Sequence, residues 1–336
     1  MIKLYLEKIM ENDNLSLDEA TDAMLYIMSG AVNNSQLSGF LASLKTKGET
    51  AEEIAGFAMA MREKSIKINT DEENVVDVCG TGGDNSFTFN ISTAASFVVA
   101  GAGVKVAKHG NRSISSLSGS ADVLKALGVN IDLSPEKTEK TLNEVGIAFL
   151  FAPLYHPAMK YAAQVRKELG VRTVFNILGP LTNPAGVKKQ LVGTFNTSVS
   201  EKMAEAAKYL NYKKVCFITS ENNIDEITLN GDTFVFEFNT KQGINKYKIN
   251  NNIFGYPQIN PNSIAGNNAE DNAKIILKVL NNETNNGAYH VVASNAAMGL
   301  YAAGYSDSIK ECLYAAEESI KSGQALNKLK KLQNIN

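Results

Sequence analysis

From Val75 onward the chain alternates short β-branched runs with helical stretches, and this alternation limits its possible folds more than any other feature. The runs are VVDVCG (75–80), VKVAKHG (104–110), IAFLFAP (147–153), QLVGTF (190–195) and KVCFITS (214–220), with helical patterns starting near Ser92, Ser118, Pro157 and Ser200. Such an order builds a mainly parallel sheet covered by helices. Thr233 to Phe238 and Asn245 to Ile249 lie close together and are expected to form an antiparallel edge pair. Helices are expected from about Ala269 to the end, and the polar stretch Asn260 to Asn272 reads as a surface loop.

The first seventy residues carry a different pattern. Two capping boxes, Ser16 to Glu19 and Thr50 to Glu53, each precede apolar residues at helical spacing, and Gly30 and Gly48 supply stops. The expected fold class is therefore α/β: a small all-α N-terminal domain (1–70), joined in space by helical residues 157–185, in front of a larger α/β domain (71–336). With 44% hydrophobic and 20% charged residues among 336, the chain has the balance of a folded protein. Its formal net charge of −2 and lack of a basic block beyond Lys328, Lys330 and Lys331 argue against nucleic acid as a partner. Cys79, Cys216 and Cys312 show neither zinc nor disulfide spacing and read as reduced thiols. The N-terminal residues contain no uninterrupted apolar run, so no membrane association is expected, and a cytoplasmic location is.

Four segments carry candidate chemistry. In residues 75–93 a strand runs into Gly80-Thr81-Gly82-Gly83-Asp84 and then into a helix start at Asn90-Ile91-Ser92-Thr93. Glycines let several backbone N–H groups face one phosphate, and the helix start offers a second anion site. A tight structural turn would look the same, and neither the Rossmann nor the P-loop fingerprint fits. The next strand ends in Lys108-His109-Gly110-Asn111-Arg112, followed by Ser113, Ser115, Ser116 and Ser118. In a parallel sheet both loops open at the same edge, so two cradles side by side suit a ligand with two phosphoryl groups. The pair Asp225-Glu226 follows a strand and could be a polar turn or a magnesium site completed by phosphates and water. Finally, Met159, Ala163, Arg166 and Gly170 share one helical face, where Arg166 is either a snorkelling surface residue or a clamp for a planar carboxylate.

Taken together, with the run Phe175-Asn176-Ile177-Leu178-Gly179-Pro180-Leu181-Thr182-Asn183-Pro184, these segments resemble the anthranilate phosphoribosyltransferase family over nearly the whole chain. Asn85 stands where many members have glycine. The resemblance implies a fold shared with pyrimidine nucleoside phosphorylases, a cleft between the two domains, and a homodimer formed through the helical domain. It implies that the donor, 5-phosphoribosyl 1-diphosphate, is held by Gly80, Gly83, Asp84, Thr88, Asn90, Ile91, Ser92, Thr93, Lys108, His109, Gly110, Asn111, Arg112, Ser113, Ile114, Ser115 and Ser116, with Ser120 at the edge. Ser92, Asp225 and Glu226 would hold Mg2+. Anthranilate would meet Gly80, Asn111 and Arg166, with His109, His156 and Gly179 near its ring.

An aromatic amine is neutral near pH 7, so no catalytic base is assigned; positioning and stabilisation of the leaving diphosphate would carry the reaction. Two rivals remain at this point. A nucleoside phosphorylase would not need the acidic pair or the carboxylate clamp. A non-catalytic nucleic-acid-binding relative would need a basic cleft.

Overall fold

The computed structural model describes residues 2–71, 73–84, 86–113 and 117–335. Four helices open the chain: α1 (Ile2–Met10), α2 (Leu17–Met28), α3 (Asn34–Lys47) and α4 (Ala51–Glu63). Both capping boxes form. Ser16 accepts from the Glu19 backbone while the Glu19 carboxylate accepts from the Ser16 N–H, and Thr50 and Glu53 exchange the same bonds. Glu53 also accepts from the Leu15 N–H at 2.9 Å and from Lys47 Nζ at 2.9 Å, so one buried carboxylate ties α4 to the loop before α2 and the end of α3.

Among the described residues seven strands form one sheet: β1 (Val75–Gly80), β2 (Lys105–Gly110), β3 (Ile147–Phe151), β4 (Lys189–Gly193), β5 (Lys214–Ser220), β6 (Thr233–Asn239) and β7 (Gly243–Ile249), ordered β3-β2-β1-β4-β5-β6-β7. The first five are parallel, and β6 and β7 add antiparallel at one edge. The chain builds outward from β1 in one direction through β2 and β3, then in the other through β4. That reversal leaves a crevice above the carboxyl ends of β1 and β4, where open α/β sheets bind their ligands.

One face of the sheet is covered by α5 (Ile91–Gly101) and the helices of the C-terminal third. Among these, Gly287–Ala303 is apolar on nearly every side and buried almost throughout. The other face shares a core with the helix Thr197–Ala207, the four N-terminal helices, the helix Lys160–Leu169 and the segment Phe175–Leu181. Among the described residues no helix is long and apolar enough to cross a membrane, and all three cysteines are buried and free.

The structure departs from the sequence expectations in five places. Pro157 opens a single 3-10 turn, and the α-helix carrying Arg166 begins at Lys160. The helices expected near Ser118 and Ser200 start at Ser120 and Thr197, the latter because Asn196 caps it. A helix at Pro135–Val145, capped by Ser134 and closed by Gly146, is an addition to the expected elements. The stretch Asn260 to Asn272 is not a free surface loop: it contains a 3-10 turn (Pro261–Ile264) and the start of a helix (Ala269–Leu280), and Asn272 is 2% exposed.

Candidate active site

Gly80 and Gly193 end β1 and β4 opposite one another, and the Thr81 N–H donates to the Gly193 carbonyl at 2.8 Å. Neither position has room for a side chain. A Cβ on Gly80 would stand 2.6 Å from Asp225 Oδ2, and one on Gly193 would collide with the Asp225 backbone. The crevice floor is thus built around the acidic pair.

Asp225 arrives there by a sharp reversal after β5, where Asn222 and Asn223 both take left-handed backbone (φ 64° and 62°) and the Ser220 N–H returns to the Ile224 carbonyl at 2.8 Å. Asn295, fully buried in Gly287–Ala303, accepts from the Ile227 N–H (3.1 Å) and donates to the Ile227 carbonyl (2.9 Å), pinning the chain just beyond Glu226.

Each carboxylate reaches across to a cradle. Asp225 Oδ2 accepts from the Gly82 N–H at 2.8 Å, and Glu226 Oε1 accepts from the Ser92 N–H at 3.0 Å. Two of the amides that the sequence offers to phosphate are therefore occupied by this pair. Asp84 joins them, with Oδ2 accepting from the Asp225 N–H at 3.3 Å. Burial, then the charges of Asp84 and Glu226, hold Asp225 well above the usual carboxylate range. Burial also pushes Glu226 up to about 7, with Lys108 and the Ser92 N–H opposing.

Lys108 lies beneath the loops rather than in them. It is 3% exposed, donates to the Val78 carbonyl at 2.7 Å, and stands 3.5 Å from Ser92 Oγ. Burial lowers its pKa, and Asp77, Cys79 and Glu226 oppose that. Arg112 is half exposed and pairs with Asp122 at 3.6 Å. The second loop closes on itself: Asp122 Oδ2 accepts from the N–H groups of Ser113 (3.1 Å) and Gly119 (3.0 Å), Ser120 Oγ donates to the Asn111 carbonyl (3.3 Å), and Asn111 Oδ1 accepts from the Arg112 N–H (2.8 Å). Ile114, Ser115 and Ser116, expected among the donor contacts, lie outside the described residues, as does Asn85.

On the helical-domain side, His109 and His156 face each other with ring centroids 5.1 Å apart, and Nε2 of each is buried without a hydrogen-bond partner. Burial, the neighbouring His156 and Lys108 drive His109 down to about 3 against a hydrogen bond to the Gly179 backbone. Burial brings His156 to about 4, opposed by the backbone of Thr182. Both rings are neutral at pH 7, and each keeps one buried nitrogen without a hydrogen-bond partner.

Arg166 stacks its guanidinium 5.2 Å from the centre of the Phe175 ring; burial lowers its pKa, and among the described residues no carboxylate pairs with it. The sequence suggested that Ala163 and Met159 flank it, but Ala163 is exposed and Phe175 is the aromatic neighbour.

The histidines give a measurable pH dependence. An unfolded chain takes up protons on both rings below pH about 6.5, whereas the folded chain refuses them until about 4 and about 3. The contribution is thus fully present above pH 6.5 and is lost as pH falls toward 4, at up to about 1.4 kcal/mol per pH unit for each ring. Urea melts at pH 7.5, 6 and 5 are expected to show this slope, and His109→Asn with His156→Asn should flatten it. An unchanged slope in the double variant would place the acid sensitivity elsewhere.

Beyond the sequence candidates, the site depends on Gly193, Asn295 and Asp77. Asp77 is fully buried in β1 and accepts from the His109 N–H (3.2 Å), Asn183 Nδ2 (2.8 Å) and Gln190 Nε2 (3.0 Å), while Gln190 also donates to the Pro180 carbonyl (2.7 Å). A carboxylate in a central strand was a signal, since burial there demands partners.

Loops at a topological switch point, an acidic pair bonded to the first of them and a helical bundle ahead of the α/β part together define a two-part glycosyl transferase. The sequence matches the glycosyl transferase family helical bundle domain over residues 3–65 and the glycosyl transferase family a/b domain over residues 72–326. It is 47% identical over 332 residues to the anthranilate phosphoribosyltransferase of Petrotoga mobilis, covering 99% of this chain and 96% of that one. It is 46% identical over 329 residues to that of Moorella thermoacetica, covering 98% and 96%. Among solved structures, the anthranilate phosphoribosyltransferase of Thermus thermophilus superposes with a TM-score of 0.93 at 38% identity, over 98% of both chains. That of Saccharomyces cerevisiae in complex with PRPP and Mg gives 0.90 at 28% identity, over 98% and 96%. The chain belongs to the anthranilate phosphoribosyltransferase family.

Proposed function

We propose that this chain transfers the phosphoribosyl group of 5-phosphoribosyl 1-diphosphate to the amine of anthranilate, releasing diphosphate. One observation carries the reading furthest. Two glycine-ended strands have given up their side chains so that a half-buried acidic pair can bond the Gly82 and Ser92 N–H groups at the first anion-binding loop. The donor occupies the two anion-binding loops, through Gly80, Gly83, Asp84, Thr88, Asn90 to Thr93 and the run from Lys108 to Ser116, with Ser120 at the edge.

Asp225, Glu226 and Ser92 fit a magnesium ion: their oxygens are hard donors, and a cation beside the pair would offset the burial and neighbouring carboxylate charge that raise its pKa values. Among the described residues no cluster of three or more His, Cys, Asp or Glu could hold a metal, so the protein alone provides no closed cage. Substrate phosphates would complete the coordination of such an ion, which would supply charge neutralisation on the leaving diphosphate. Lys108 and Arg112 add fixed positive charge near the loops.

The acceptor lies against His109, His156 and Gly179, with Asn111 and Gly80 beside it and its carboxylate on Arg166. Neutral rings with pKa values of about 3 and about 4 can accept a hydrogen bond from an amine without taking its proton. Catalysis therefore rests on orientation and charge stabilisation rather than a strong base. Loss of anthranilate fluorescence that requires both donor and magnesium tests this; phosphorolysis of a nucleoside in place of it would support the rival reading.

The helical domain is taken as residues 1–70 with 157–185, which share one core, and the enzyme as a cytoplasmic homodimer without nucleic-acid partners. Leu4 and Met10 on α1 are 67% and 68% exposed, and supply the apolar surface for the dimer. Leu4→Glu with Met10→Glu should convert dimer to monomer in sedimentation velocity. A monomeric wild type, or a double variant still dimeric, would rule out this interface.

A further inference from the structure

We propose that Asn272, on the helix Ala269–Leu280 behind the two donor loops, is a positioning residue that sets their spacing through Asn90. The role rests on the donor assignment above. Asn90 stands at the start of α5 but makes no capping bond with its side chain. Its amide runs sideways instead: Nδ2 donates to the Ser118 carbonyl at 3.1 Å, at the end of the second loop, and Oδ1 accepts from Asn272 Nδ2 at 3.0 Å. Asn272 in turn accepts from the Asn267 N–H at 2.8 Å and donates to the Asn267 carbonyl at 3.3 Å. One buried amide thus joins the segment before its own helix to the first loop and, through Asn90, to the second.

That segment also supports the first loop by backbone contact. The Phe89 N–H donates to the Ile264 carbonyl at 3.1 Å, the Gly266 N–H donates to the Phe87 carbonyl at 2.6 Å, and Thr88 pairs with Ala265. A Cβ on Gly266 would stand 2.6 Å from the Phe89 nitrogen, so the two backbones meet where only glycine fits. Phe87 is held at φ 54°, a conformation rare for a bulky residue, beside this contact.

The amide chain is directional. With Asn272 donating, Asn90 must turn its oxygen toward the helix and its nitrogen toward Ser118. Asn272→Asp removes the donor while keeping shape. Two acceptors then face each other, and flipping Asn90 only moves the conflict to the Ser118 carbonyl. Neither orientation satisfies both ends.

The expected result for Asn272→Asp is a donor KM raised about tenfold, the order of one lost buried hydrogen bond, with the anthranilate KM within about twofold of wild type. Asn272→Ala, which leaves Asn90 unopposed, should show a smaller rise. A residue that merely held the fold would lower Tm and the active fraction and leave both KM values where they were; that result overturns the proposal.

Should neither variant fold, hydrogen–deuterium exchange on the wild type decides. Donor with magnesium should slow exchange across 261–272, and anthranilate alone should not. Equal exchange in all states would overturn the role. Wild type that fails to bind donor refutes the proposed activity, and this role with it; an active wild type beside an Asn272→Asp variant with unchanged donor KM refutes the role alone.

Discussion

Asp225→Asn combined with Glu226→Gln is expected to reduce turnover about a thousandfold at ordinary magnesium while leaving the protein as stable as before, or more so. The pairing of those two outcomes is what makes the experiment decisive. Both replacements keep an oxygen where the structure needs one, so the bonds from the Gly82 and Ser92 N–H groups can persist. What disappears is charge. In the folded protein burial and the charge of Asp84 disfavour the ionised forms of both side chains, and Glu226 adds to the effect on Asp225. A pair whose folded pKa values are raised weakens the fold as pH rises above the ordinary carboxylate range, so neutral isosteres should hold or raise Tm at pH 7.5. Function would be lost because the metal-binding oxygens are now amides. Calorimetry with magnesium and donor should show the ternary complex weakened, and added magnesium should recover only part of the rate. Wild-type turnover in the double variant would remove the acidic pair from the mechanism. Lost turnover with a large fall in Tm would make it a structural element instead.

Why this pair is readable from the sequence, and other parts of the site are not, follows from how far each signal reaches. A glycine run after a β-branched run is a local pattern, and the parallel order of β1 and β2 follows from the alternation around it, so both loops and their shared edge can be anticipated. The antiparallel edge pair is readable for the same reason. The amides that hold the site are a different matter. Asn295 serves Ile227 across 68 residues, Asn183 serves Asp77 across 106, and Asn272 serves Asn90 across 182. An asparagine destined for such a bond looks like any polar residue in a loop, which is why Asn260 to Asn272 reads as surface. The helix Pro135–Val145 escapes a reading by apolar spacing because most of its residues are polar, although Ser134-Pro135 and Gly146 bracket it as caps do. Lys108 shows a further limit. Its place in the sequence suggests a phosphate contact, whereas packing beneath the loops makes it a buried counter-charge to Asp77 and Glu226.

Arg166 tests the acceptor side, and there its packing sharpens what the sequence left open. A surface arginine would reach into solvent or pair with a neighbouring carboxylate. This one is partly buried against Phe175 with its charge unanswered among the described residues, and burial lowers its pKa. Such a group gains most from an anion that arrives with the ligand. Arg166→Ala is expected to raise the anthranilate KM roughly tenfold to a hundredfold, the order of a lost charge-assisted hydrogen bond of about 1.5 to 3 kcal/mol. The donor KM should stay within about twofold, because Arg166 is not among the residues assigned to the donor. Bond formation occurs at the amine, so kcat at saturating acceptor should fall less than kcat/KM, the pattern of binding shared by ground and transition states. Arg166→Lys keeps the charge but loses the planar fork and much of the stacking on Phe175, and should recover part of the loss. Aniline, which lacks the carboxylate, supplies the complementary arm: if the carboxylate is the partner, its slow reaction should be equally slow in wild type and Arg166→Ala. An aniline rate that falls as far as the anthranilate rate would mean that Arg166 shapes the pocket through Phe175 and binds no carboxylate.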